Sequence, residues 1–133
     1  MDEASREAIR QDLACSRDEL DAARILLRER KYRQALSRAY YAVFYAAVAV
    51  LESKGIRRAK HSGVQSAFGQ SFVKDGIIEP EYSDIYARVR ESRELSDYER
   101  GFVPPAELAT EKIDEAEKFV ARMERYLSDV GAV

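Results

Sequence analysis

The sequence predicts an all-α, up-and-down bundle of about five helices, and two observations carry this prediction. The run ALSRAYYAVFYAAVAVL at residues 35–51 is rich in alanine, and from Ala39 onward it contains no charge, glycine or proline. Such a run favours a buried helix over a strand, and it is shorter than the roughly 20 apolar residues of a membrane span. Elsewhere apolar residues recur at intervals of three and four, which is typical of amphipathic helices. No segment shows the alternation expected of a strand.

The other helices are predicted around this central one by their apolar stripes and by the glycines and prolines that separate them. The first begins at a cap near Ser5, and Ser16 interrupts its apolar stripe. The stripe of the fourth fades in the charged run RESRELSDYERG, which ends at Gly101 and is followed by two prolines. The predicted helices cover about residues 5–30, 32–54, 62–73, from 81 into that charged run, and from Pro105 through Leu127.

Aromatic residues on the central helix form pairs four residues apart. Tyr40 is paired with Phe44, and Tyr41 with Tyr45, so each pair shares one helical face. We expect these rings to belong to the core. A buried tyrosine hydroxyl needs a hydrogen-bond partner, so polar groups are expected to converge on this helix.

Composition limits the function classes. The chain has 133 residues, a net charge of −2, one cysteine and one histidine. We expect a single domain over residues 1–133, with no hydrophobic leader, in the reducing cytoplasm, where Cys15 forms no internal disulfide. A metal cluster is not expected from one histidine and one cysteine, and no glycine-rich phosphate loop is present, so no cofactor is predicted. The overall charge does not favour nucleic-acid binding.

One local segment does concentrate positive charge. Residues 54–61 read KGIRRAKH, with four basic residues, the only histidine and no acid. Two interpretations stay open. The segment is either a solvated loop that balances acidic helices or a patch in which Arg57, Arg58, Lys60 and His61 face phosphate.

Three segments together resemble a known family. They are SRAYYAVFYAA at 37–47, KHSGVQSAFGQSFVKDGIIEPE at 60–81 and RELSDYE at 93–99. They resemble the HEPN domain (higher eukaryotes and prokaryotes nucleotide-binding), specifically its small stand-alone prokaryotic branch. The resemblance covers nearly the whole chain. It implies a helical bundle that forms a homodimer and often pairs with a minimal nucleotidyltransferase in toxin–antitoxin-like systems. No membrane partner is expected, because the apolar run is too short to span a bilayer.

The resemblance also implies a site on the fourth helix. Many HEPN proteins are metal-independent ribonucleases with an Arg followed, after four to six residues, by a His. Here Arg93 is followed at those positions by Tyr98, Glu99 and Arg100. Counting from Arg90 gives Leu95, Ser96 and Asp97, so neither arginine has its histidine. Arg93, Asp97 and Tyr98 are therefore the catalytic candidates, in an altered site.

Each candidate has alternatives. Arg93 and Asp97 share a helical face and form either a simple ion pair, a phosphate-binding site or a cleavage site. Arg38 either pairs with a neighbouring helix or orients Asp97 or Tyr98. His61 either caps and packs its helix or supplies the missing proton carrier, provided that folding brings it near Arg93. The resemblance also makes Tyr98 a candidate for adenylylation by the partner transferase.

The resemblance, together with these residues, favours a regulatory module that binds a nucleotide or an RNA phosphate through Arg93, with help from Arg38 and the basic segment. The resemblance also implies that this module works with a minimal nucleotidyltransferase. A metal-independent endoribonuclease toxin with a divergent site is the alternative. A scaffold that only holds the transferase is the third hypothesis.

Overall fold

The computed structural model describes every residue from Met1 to Val133 and contains five α-helices and no strand. The helices are α1 (Glu3–Arg28), α2 (Tyr32–Ser53), α3 (His61–Phe68), α4 (Pro80–Tyr98) and α5 (Ala106–Asp129). α3 continues into a π-helical turn at Gly69–Val73. α2 contacts the other four helices, which confirms the predicted bundle around a central helix. None of the five is both long and apolar enough to cross a membrane.

Small side chains bring α1 close to α2. The alanines of α2 are fully buried, among them Ala39, Ala42 and Ala46. The hydroxyl of Ser16 on α1 donates a hydrogen bond of 2.7 Å to the backbone carbonyl of Ala42. The residue that interrupts the apolar stripe of α1 is therefore a buried polar contact between the two helices, and its hydroxyl is satisfied there.

The predicted helix starts need two corrections. Ser5 is not the cap of α1, because the carboxylate of Asp2 accepts a hydrogen bond of 2.8 Å from the backbone N–H of Ser5. This bond lowers the pKa of Asp2. Pro105 is the N-cap of α5 rather than a residue of its first turn, and the helix begins at Ala106.

The charged run at the end of α4 is helical through Tyr98. The apolar stripe fades there because two serines occupy the buried positions: Ser92 and Ser96 both face the interior. This extension places Arg93 and Asp97 one turn apart on a regular helix.

The core continues beneath α4 through stacked aromatic rings. Phe68 lies 5.2 Å from Phe119 of α5, and Tyr86 lies 5.7 Å from the same ring, measured between ring centres. Arg122 of α5 is also buried at this end. Its Nε donates to Glu79 Oε1 at 2.7 Å, and one Nη donates to Glu79 Oε2 at 3.2 Å and to the Ile77 carbonyl at 3.3 Å. Arg122 thereby fastens the loop before α4 to α5.

Candidate functional site

Three helices contribute to a group of side chains that we call the aromatic–arginine cluster: Tyr40, Tyr41 and Phe44 of α2, His61 of α3 and Arg93 of α4. Tyr40 is stacked on Phe44 with ring centres 6.3 Å apart and contacts Tyr41 edge-on at 5.2 Å. Tyr40 is only 2% exposed, whereas Tyr41 and Phe44 are half-buried. The cluster therefore has a buried floor and an accessible aromatic rim.

Arg93 lies on this aromatic surface. Its guanidinium carbon is 4.8 Å from the Tyr40 ring centre and 5.4 Å from the Tyr41 ring centre, a cation–π geometry. Its Nε lies 3.0 Å from Asp97 Oδ2, so the predicted ion pair is present. The Nε–H, however, is not aligned with the carboxylate and makes no hydrogen bond. The side chain of Arg93 is 20% exposed, and its Nε is buried. Its two Nη groups also make no hydrogen bond and are the donors that an anion can reach.

His61 meets the same tyrosine from α3. Its Nδ1 lies 3.2 Å from the Tyr40 hydroxyl, and its ring centre lies 4.2 Å from that of Phe44 and 5.7 Å from that of Tyr41. His61 is an exposed residue. Folding therefore places Arg93 over the ring of Tyr40 and His61 beside its hydroxyl, so both side chains contact the same tyrosine.

The structure does not show the predicted interaction of Arg38 with Tyr98. Arg38 donates a hydrogen bond of 2.7 Å to Glu19 of α1, and its guanidinium carbon is 4.9 Å from the Tyr41 ring centre. It thus pairs with a neighbouring helix and forms no hydrogen bond or ion pair with Asp97. Tyr98, at the last position of α4, is 73% exposed and makes no side-chain hydrogen bond.

The basic segment lines a separate cleft. Arg57 forms two hydrogen bonds, of 2.9 and 2.7 Å, with the buried carboxylate of Glu52, and these lower the pKa of Glu52. Arg58 donates to the Arg57 carbonyl, while Lys60 is the exposed N-cap of α3. The cleft, of about 320 Å³, also contains Asp12. Burial, together with the charge of Glu52, raises the pKa of Asp12 to about 6.

Sequence reasoning placed Tyr40 in the core and missed its contacts. Burial raises the pKa of the Tyr40 hydroxyl, and the charge of Arg93 opposes the rise. The requirement that a buried tyrosine find a partner pointed to converging polar groups, but it could not identify them. Arg90, a candidate position of the family motif, donates a hydrogen bond of 2.6 Å to Gln65 of α3, a contact that its sequence position does not reveal.

The cluster offers a guanidinium, an imidazole and an aromatic rim at one place. This combination suits a phosphate with a neighbouring base, since guanidinium groups bind phosphate oxygens and aromatic rings stack on unpaired bases. No group of three or more His, Cys, Asp or Glu side chains is arranged to hold a metal ion.

Comparisons with known proteins agree with the fold. The family model for the HEPN domain matches residues 13–129. A protein of Methanocaldococcus jannaschii named "Putative toxin MJ0605" is 38% identical over 94% of this chain and 92% of its own length. A protein of Thermotoga maritima named "UPF0332 protein" is 36% identical over 86% of this chain and 87% of its own length.

The fold is also similar to that of a solved structure. The crystal structure of TT1696 from Thermus thermophilus has a TM-score of 0.75 at 21% identity, over 90% of this chain and 98% of that one. At this identity the similarity concerns the fold alone. The family match and the relatives establish the affiliation: the chain belongs to the HEPN family.

Proposed function

We propose that this chain is a toxin–antitoxin-like HEPN protein that binds single-stranded RNA at the aromatic–arginine cluster, with Arg93 on a phosphate. The observation that carries the proposal is the state of Arg93. Its guanidinium is held on two tyrosine rings, it is mostly buried, and none of its N–H groups makes a hydrogen bond. Because Nε is buried, a phosphate oxygen would accept charge-assisted hydrogen bonds from the two Nη groups.

The aromatic rim supports RNA rather than a free anion. The half-buried ring of Tyr41 lies under Arg93, and the half-buried ring of Phe44 contacts Tyr41 edge-on, so a base next to the bound phosphate can stack on this rim. Stacking on aromatic residues next to basic groups is a common way of binding unpaired RNA bases. The name of the Methanocaldococcus jannaschii relative, "Putative toxin MJ0605", supports a role in a toxin–antitoxin-like pair.

The partner in this proposal is a minimal nucleotidyltransferase, and the assembly is a homodimer that brings Arg93 from two chains to one groove. Three large apolar side chains that follow Arg93 in the sequence are exposed: Leu95, Tyr98 and Val103. They support an interface at this part of the surface. The exposed hydroxyl of Tyr98 is also accessible to a transferase, which keeps adenylylation of this residue within the proposal.

Binding is tested with a short labelled single-stranded RNA of mixed sequence, in EDTA, by fluorescence anisotropy. Arg93→Ala should weaken binding by roughly tenfold to a hundredfold, because a charge-assisted hydrogen bond contributes about 1.5–3 kcal/mol. Arg28→Ala is the matched control, since it removes the same charge from an exposed residue of α1 that has no ion pair. Equal affinities for the wild type and Arg93→Ala would refute the proposed site.

A second candidate function is metal-independent RNA cleavage, and one observation favours it: His61 lies on the same tyrosine as Arg93. In this reaction His61 would exchange protons with the 2′-hydroxyl or with the leaving oxygen, and Arg93 would stabilise charge on the phosphate. The same RNA, incubated in EDTA, should then yield products with the wild type and none with His61→Gln or Arg93→Ala. Intact RNA with the wild type would exclude this candidate and leave binding alone.

A further inference from the structure

Tyr40 connects the two polar groups of the aromatic–arginine cluster. Its ring carries the guanidinium of Arg93 at 4.8 Å, and its hydroxyl lies 3.2 Å from Nδ1 of His61. No other hydrogen-bond partner of this hydroxyl is present, and the residue is 2% exposed. A buried tyrosine O–H has to donate its proton to an acceptor, and Nδ1 of His61 is the acceptor that the structure supplies.

The direction of this hydrogen bond determines what His61 can do. In a neutral imidazole one ring nitrogen carries a proton and the other carries a lone pair. If the Tyr40 O–H donates to Nδ1, then Nε2 carries the proton and is a donor. If Nδ1–H donates to Tyr40 instead, then Nε2 keeps its lone pair and can accept a proton from a substrate hydroxyl.

Two features of the cluster favour the first direction. The positive charge of Arg93 lies over the Tyr40 ring, which makes a phenol a better donor and a poorer acceptor. Burial outweighs this charge and raises the pKa of Tyr40, so the hydroxyl keeps its proton and is available to donate it. The reverse direction would leave the Tyr40 O–H without an acceptor inside the protein.

We infer that Tyr40 is a positioning residue that fixes His61 with its proton on Nε2, so that His61 and Arg93 together form a pair of N–H donors for one RNA phosphate. This inference rests on the proposed function and specifies it: His61 acts as a neutral hydrogen-bond donor rather than as a general base. The ligand class is a phosphodiester, whose oxygens accept from the imidazole and from the guanidinium. A site built in this way holds RNA without removing the proton of its 2′-hydroxyl.

Nitrogen-15 NMR of the side chain of His61 tests the tautomer, and because the chain has one histidine the signals need no assignment. In the neutral imidazole we expect Nε2 to be protonated and Nδ1 to be a hydrogen-bonded acceptor. In Tyr40→Phe the ring under Arg93 remains, and the Nδ1 resonance should move to the position of a nitrogen that faces water. Tyr45→Phe is the matched control: it removes a hydroxyl from the same helix, and its ring does not contact His61.

A wild-type spectrum with the proton on Nδ1 would overturn the inference, as would a spectrum that Tyr40→Phe leaves unchanged. These results do not depend on RNA. If the tautomer is as expected but Arg93→Ala binds RNA normally, the proposed function fails and the positioning role of Tyr40 stands.

RNA binding supplies the second readout. His61→Gln keeps an amide N–H near the position of Nε2, whereas His61→Leu removes every donor. We expect His61→Gln to bind within about threefold of the wild type and His61→Leu to bind about tenfold more weakly, as expected for the loss of one hydrogen bond to a charged group. Equal losses in the two variants would contradict a donor role for His61.

Discussion

Two largely buried arginines of this molecule differ in what their guanidinium groups contact. Arg122, 9% exposed, makes three hydrogen bonds to Glu79 and to the Ile77 carbonyl. Arg93, 20% exposed, lies on two aromatic rings beside Asp97 and makes none. The difference shows that burial alone does not identify a functional arginine. Arg122 uses its donors within the protein and fastens a loop, whereas those of Arg93 remain available to a ligand.

The largest expected effect is on the stability that Arg122 provides. Arg122→Ala should lower the free energy of unfolding by about 3 kcal/mol, the low end of the range for breaking a buried ion pair, because Glu79 is half exposed. Urea denaturation measures this change. RNA affinity, measured well below the midpoint of thermal unfolding, should stay within about twofold of the wild type.

Arg125→Ala is the control for this change, since Arg125 is an exposed residue of α5 without an ion pair. Its free energy of unfolding should stay within about 0.5 kcal/mol of that of the wild type. If Arg122→Ala and Arg125→Ala are equally stable, Arg122 does not have the structural role that the comparison gives it.

Arg93→Ala should produce the opposite result. We expect RNA binding to weaken by about 2 kcal/mol and the free energy of unfolding to fall by only about 1 kcal/mol, because the ion pair with Asp97 lies within one helix and the cation–π contacts with two tyrosines are individually weak. Arg93→Lys should recover only part of the affinity, since an ammonium group lacks the planar donors of a guanidinium. A large loss of stability with unchanged RNA affinity would place Arg93 in the same class as Arg122.

The same contrast between paired and unpaired groups holds for two carboxylates in the cleft of the basic segment. Glu52 is paired with Arg57, whereas Asp12 has no ion pair and has its pKa raised to about 6. Folded Asp12 therefore holds its proton more tightly than the unfolded chain does. Ionisation of Asp12 therefore lowers the free energy of unfolding as the pH rises from about 4 to about 6, and this loss of stability persists at higher pH.

Asp12→Asn should thus raise the free energy of unfolding by about 1 kcal/mol at neutral pH, a value reduced for partial exposure to solvent, and by almost nothing near pH 4. Chemical denaturation of both proteins at the two pH values checks this difference. Asp21→Asn, on an exposed position of the same helix, should show no pH-dependent gain. If Asp12→Asn raises the free energy of unfolding equally at both pH values, ionisation of Asp12 is not the cause of the gain.

The smallest expected effect concerns Asp97. Asp97→Asn removes a negative charge 3.0 Å from Arg93 Nε. We expect a loss of a few tenths of a kcal/mol in stability, typical of a pair at this helical spacing, and an RNA affinity about twofold higher, because the phosphate is no longer repelled. Binding titrations at low and high salt measure the second effect. Weaker RNA binding by this variant would mean that Asp97 positions Arg93 for its ligand.

The helical bundle could be predicted from local information. The alanine-rich run predicts α2, and apolar spacings of three and four predict which faces of the other helices are buried. The errors lie at helix ends, where a single side chain decides: Asp2, not Ser5, caps α1. The helical end of α4 was hard to predict because serines, not apolar residues, fill its buried positions.

The site could be predicted only within one helix. The pairing of Arg93 with Asp97 follows from their spacing, but the alignment of the Nε–H does not. The contact between His61 and Tyr40 joins residues on different helices and depends on how α3 packs against α2. The same holds for Arg38 and its partner Glu19, which no local pattern connects.

The burial of Tyr40 has a consequence for how this protein can change during evolution. A substitution at position 40 alters the packing of the central helix and the surroundings of both His61 and Arg93 at once. Drift at this position is therefore expected to be slow, and members of the family that replace the tyrosine are expected to have replaced the histidine as well. Tyr40 and His61 would then be retained or replaced together in natural sequences.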